Sequence, residues 1–177
     1  APTWVTLTNG GLQLYAENPS TPTAPSSTGT NAVAIGNGSA ASGTNAIALG
    51  QGTSASIFGT KAIANGSFAT AGDAQEVIAV LRNITSNATG TELFLDGSGA
   101  SQRLVLPNNS AWTFTIKVSC RRTDATGSLA RVGSIAGAND PVVSADTTNG
   151  SLRILVTGNA AQTYRWVATA YLTQVTN

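Results

Sequence analysis

Between Asn31 and Gly72 small apolar residues alternate in short runs, each closed by a glycine, and the runs repeat. Asn31-Ala-Val-Ala-Ile-Gly36 returns 14 positions later as Asn45-Ala-Ile-Ala-Leu-Gly50. Lys61-Ala-Ile-Ala-Asn-Gly66 reads as a third copy displaced by 16, so two residues are extra or the period slips there. Within a run Val33 and Ile35, or Ile47 and Leu49, fall on one side, and Ala32 and Ala34, or Ala46 and Ala48, on the other. That period of two is the spacing of a strand, and glycine ends it where a tight turn is easiest without a Cβ. An alanine-rich helix is the rival, but glycines 36, 38, 43, 50, 52, 59 and 66 argue against it. Fourteen residues hold two short strands and two turns, one coil of a narrow parallel β-roll, and there are about three coils. So thin a roll cannot bury its own apolar side and needs a neighbour. Ala32, Ala34, Ala46, Ala48, Ala62 and Ala64 are the expected packing surface, because small side chains let another copy of the chain come close.

Ahead of the roll, Trp4, Val5 and Leu7, then Leu12 and Leu14, alternate around Asn9-Gly10-Gly11, which predicts a hairpin over 1–16. Those five apolar residues either dock the chain onto something larger or cap the first coil. Residues 17–30 carry three prolines among small polar residues and read as an extended linker. After Gly72 aromatic and charged residues return, and 73–177 alternates as an antiparallel β-sandwich or jelly roll of seven or eight short strands. Strands are expected over 77–84, 91–96, 102–106, 111–120, 129–135, 152–156 and 164–172. Trp112, Phe114 and Ile116 share a face of the clearest of these, and with Trp166 they are the expected core. The fold class is therefore all-β: a short roll, then a sandwich.

Charge and composition narrow the chemistry. The 177 residues bound one or two small domains. Net charge is +1 with only 10% charged residues, so no clustered basic surface suggests nucleic acid. There is no histidine, which removes the usual base of a serine triad and the commonest metal ligand, and the single cysteine, Cys120, leaves no thiolate cluster. No cofactor, metal or catalytic residue is expected. No run reaches 18 apolar residues, so no membrane insertion is expected. A glycosidase needs only two carboxylates, and Glu92, Asp96, Asp124, Asp140 and Asp146 are the ones to weigh. Asp96-Gly97 and Asp146 ahead of Thr-Thr-Asn-Gly are better explained as turns. The Arg121-Arg122 pair, beside Thr123-Asp124, reads as a local or interchain ion pair.

The run Asn31-Ala-Val-Ala-Ile-Gly-Asn-Gly-Ser-Ala-Ala-Ser-Gly43 resembles the head repeats of trimeric autotransporter adhesins. That resemblance implies a left-handed parallel β-roll, three of which pack around one axis. Thr91–Gly97, Arg103–Phe114, Arg121–Asp124, Ala145–Ile154 and Arg165–Ala168 together resemble a module of bacteriophage tail-fibre and virion structural proteins. This second resemblance covers roughly 73–175 and implies a β-rich terminal domain of a homotrimeric fibre or spike in a virion. The expected partners are then two further copies of the chain, another virion protein at the N-terminal segment, and a host-surface glycan or protein. Loops 97–102, 123–128 and 136–150 would meet the host. The alternative is a capsid or tail decoration protein with a purely structural role. Both readings are non-enzymatic.

Overall fold

A computed structural model describes residues 21–97, 101–124 and 141–177, with the backbone alone at 12–14 and 130–132. The described residues are all-β, in two units: Ala1–Val77 with Thr173–Asn177, and Ile78–Leu172.

The first unit is the roll. Its strands are β1 (Leu12–Leu14), β2 (Ser26–Ser27), β3 (Val33–Ile35), β4 (Ala40–Ala41), β5 (Ile47–Gln51), β6 (Ser54–Ala55) and β7 (Lys61–Asn65). β1, β3, β5 and β7 stack in parallel as one wall, and β2, β4 and β6 as the other. Register fixes the period. Val33 lies beside Ile47 and Ile47 beside Lys61, 14 residues each time, so the third coil does not slip. Lys61-Ala-Ile-Ala resembles Asn45-Ala-Ile-Ala as text, yet Lys61 occupies the position of Ile47, and Gly59 that of Asn45. The backbone explains why: Asn31, Asn45 and Gly59 all turn the same corner with φ of 55°, 57° and 63°. Asparagine and glycine are the residues that tolerate this left-handed conformation. The side chains of Asn31 and Asn45 also stack, Nδ2 donating to Oδ1 over 3.3 Å.

Alanine lines the inside of the coil. Ala32, Ala34, Ala46, Ala48 and Ala62 are at most 2% exposed in a single chain, as are Ala41 and Ala55 of the opposite wall. These alanines are therefore not the packing surface between chains, and Ala64 is half-buried. Two walls one coil apart leave room for a methyl group and little else. The remaining polar groups inside are satisfied locally: hydroxyls of Ser39, Thr53 and Thr60 donate to the carbonyls of Gly36, Leu49 and Ile57 at 3.0, 2.7 and 2.8 Å.

The roll also starts earlier than residue 31. Leu12–Leu14 pairs in parallel with Val33–Ile35, so this segment is a rung of the roll rather than the second arm of a free hairpin. Trp4, Val5 and Leu7 lie outside the described residues. Of the expected linker, residues 21–30 belong to the roll, with Pro25 fully buried one period before Ser39.

Past β7 the roll is closed by side chains that imitate backbone. The Gln75 amide accepts from Ser54 N–H and donates to Ser54 C=O, at 3.0 and 2.8 Å, where a further rung would pair with β6. The buried Asp73 carboxylate accepts the N–H groups of Phe68, Ala69 and Thr70 at 2.7–2.8 Å. Gln174 donates to Gly72 C=O and Thr176 N–H to Asp73 C=O, both at 2.9 Å. An edge satisfied in this way offers no template for another strand.

The second unit is built from β8 (Ala74–Thr85), β9 (Gly90–Glu92), β10 (Leu104–Val105), β11 (Ser110–Arg122), β12 (Ala130–Val132), β13 (Val142–Asp146), β14 (Ser151–Thr157) and β15 (Tyr164–Thr176), of which β8 begins and β15 ends in the first. One sheet has the order β8-β15-β11-β12. The other has β13 on one side of β14, with β9 and β10 sharing its opposite side, all antiparallel. Strand alternation delivers Leu81, Leu93, Leu95, Leu104, Ile154, Val156, Trp166 and Leu172 to the interior, all at most 3% exposed. Trp166 is core as expected, its indole N–H donating to Thr85 Oγ1 at 2.9 Å. Phe114 is not: it is 49% exposed, and Trp112 and Ile116 are half-buried. Period-two alternation puts all three on the inner side of β11. It does not say how much of that side is covered.

Candidate functional site

With alanine turned inward, the larger aliphatic residues of the roll face out. Val33, Ile35, Leu49 and Ile63 are half-buried and Ile47 is 36% exposed, forming a two-column stripe along β3, β5 and β7. By register Leu12 stands beside Val33 and Leu14 beside Ile35, so β1 is in line with these columns. The column Val33–Ile47 ends at Lys61. Branched aliphatic residues on the outside of a thin roll are what a partner surface requires. The assignment of Ala inward and Val, Ile and Leu outward was missed in the sequence, although the repeat itself displays the two sets.

No pair of carboxylates is free to do acid–base work among the described residues. Glu92 accepts two hydrogen bonds from the Arg103 guanidinium, at 3.1 and 3.3 Å, and Asp146 lies 3.9 Å from the same group. Arg103 also sits 5.0 Å from the centre of the Phe94 ring. Asp96 accepts from Ser101 and Gln102 N–H, closing its turn. Asp146 is held by the Asn149 side chain and by the N–H groups of Asn149 and Thr148, which lower its pKa below the ordinary carboxylate value. Asp124 is lowered by the Arg122 guanidinium, 2.6 Å away, and by Thr163 N–H. Arg122 thus makes a local ion pair, as the sequence suggests. Asp140 lies outside the described residues, as do 98–100 and 125–140 apart from the backbone of β12, so the expected host-facing loops are described only in part.

The outer side of the sheet β8-β15-β11 is a second surface. Val80, Ile84, Val167 and Tyr171 are 37–45% exposed there. Lys117 reaches over the Tyr171 ring at 5.3 Å, which places the odd-numbered residues of β11 on the same side as Val167 and Tyr171.

These features define a β-roll with an inward alanine lining, an outward aliphatic stripe and no described catalytic centre. Residues 27–53 match the YadA head domain repeat, in two copies. The head-repeat likeness expected of the roll is thereby supported over these residues. The match lies within the roll, and the phage-fibre identity expected from residues 73–175 has no support from it. No curated protein and no solved structure matches the chain.

Proposed function

We propose that the protein is a homotrimeric, adhesin-like attachment protein in which the roll assembles the trimer and the C-terminal β domain meets the target surface. The observation that carries this is the aliphatic stripe Val33, Ile35, Ile47, Leu49 and Ile63 on repeats of the YadA head type. Each aliphatic side chain taken fully out of water contributes about 1.5–3 kcal/mol, so three stripes closing on one axis supply a stable interface. Attachment is then multivalent: weak sites held at fixed spacing gain avidity from effective concentration. The work is binding without catalysis, a reading supported by the ion-paired and turn-forming carboxylates. The finer setting we propose is a virion fibre or spike, on the resemblance of residues 73–175, with the segment containing Trp4, Val5 and Leu7 joining another virion protein.

Light scattering tests the assembly. Three chains of 17.8 kDa give about 53 kDa, and Ile47→Asp should yield a folded monomer. A wild-type monomer at micromolar concentration would sink the proposal, and so would an Ile47→Asp protein that stays trimeric.

A further inference from the structure

We propose that the outer face of the C-terminal sheet binds an acidic polysaccharide; this deepens the attachment reading above and rests on it. Consider the outward positions of β8, β15 and β11 within the second unit. They carry Arg165 and Lys117, both exposed, Arg82, whose guanidinium donates to the carbonyls of Leu95 and Asp96, and Arg121, which has interactions of its own. No acidic residue occupies the described outward positions of these strands from Ile78 onward, and Glu76, exposed, precedes them on β8. Four of nine Lys and Arg residues thus occupy one face of a protein whose net charge is only +1. Between them lie Thr113, Thr115 and Ser119, exposed, Thr169, half-buried, and the partly open ring of Tyr171.

Charge complementarity decides the occupant. A second copy of the same face would bring Lys117 and Arg165 against like charges, and like-charge juxtaposition opposes association. An anionic partner is attracted instead. A nucleic acid is a poor fit, because single strands are held by several aromatic platforms and this face has one tyrosine. A lipid surface wants a continuous apolar side that can enter the acyl region, whereas here hydroxyls alternate with Val and Tyr. A linear acidic glycan fits the polar groups of the surface: its carboxylates or sulfates meet Lys117 and Arg165, its hydroxyls exchange hydrogen bonds with the threonines, and a sugar face lies against Tyr171, with Val80, Ile84 and Val167 beside it. Flat, hydrogen-bonded strands hold these groups in place, so little ordering is needed on binding.

The test uses the full chain on immobilised heparin, with neutral dextran, a single-stranded oligonucleotide and phosphatidylglycerol vesicles as alternatives, and light scattering on the same sample. The expected result is retention on heparin that weakens as NaCl rises from about 50 to about 300 mM. Lys117→Ala with Arg165→Ala should lose about tenfold or more in affinity, while Lys117→Arg with Arg165→Lys and the roll variant Lys61→Ala keep it. Trimeric protein that ignores heparin, or binds equally after the double alanine change, overturns the proposal. So does equal or tighter binding to dextran, oligonucleotide or vesicles. A monomer in the scattering trace instead refutes the assembly reading, whatever the column shows.

Discussion

Replacing Gly50 with alanine is the sharpest test of how the coils stack. At Gly50 φ is +98°, and a Cβ would lie 2.0 Å from the carbonyl oxygen of Ala64, its partner on β7. That oxygen is backbone and cannot rotate away. Gly59 is the control: φ is +63° and a Cβ there meets nothing within 4 Å. Both alanines suffer the left-handed penalty, about 1–2 kcal/mol. Only at Gly50 must the rung also move by about an ångström, weakening one or two of the β5–β7 hydrogen bonds at about 1 kcal/mol each. Gly50→Ala should therefore cost about 2–4 kcal/mol in all. For a chain of this length that lowers Tm by about 4–16 °C, against roughly 2–8 °C for Gly59→Ala. Differential scanning calorimetry at one fixed chain concentration reads the difference, since assembly makes Tm concentration-dependent. Equal losses at the two glycines, or a larger one at Gly59, would refute the stacking.

Other perturbations separate inside from outside. Ala48→Leu should overfill the roll and destabilise it by about 1–3 kcal/mol without changing the number of chains in the folded fraction, whereas Ile47→Asp should change the number of chains. Trp166→Phe leaves Thr85 Oγ1 without its indole donor in the core and should lower unfolding stability by about 1–3 kcal/mol in urea titration. Acid should also unfold the protein. Asp73 is lowered chiefly by the N–H groups of Thr70 and Ala69, Asp124 by Arg122 and Asp146 by Asn149. A carboxylate depressed in the folded state stabilises fully above its ordinary value, 3.8, and loses that contribution as pH falls through the depressed one. Tm should thus be insensitive to these groups near neutrality and fall in the acid range, with a shallower fall in Asp73→Asn.

What the sequence made legible was periodicity; what it hid was which neighbour each face meets. The strand period, the glycine corners and the two-part architecture are all visible as residue spacing. Alanine was the misleading residue. Its small size suits close approach by another chain, and it suits equally the interior of a coil whose walls are already joined by two short turns. The same limit applies to Phe114. Alternation assigns it a side of β11, but not whether anything covers that side. At Lys61 letter similarity competed with geometry. The left-handed corner at Gly59 marks the true start of the third coil, because any residue there must tolerate φ near +60°.

The fourteen-residue register from β3 to β7 has a consequence for the length of the roll. Each coil pairs only with the coil before and after it, so whole coils can be gained or lost without disturbing the others. One such change moves everything beyond it by one strand spacing, about 4.8 Å. Between β3 and β7 an insertion of another length would throw the asparagine and glycine corners out of line. That part of the roll can therefore be lengthened only in discrete steps, much as a ladder is lengthened by rungs.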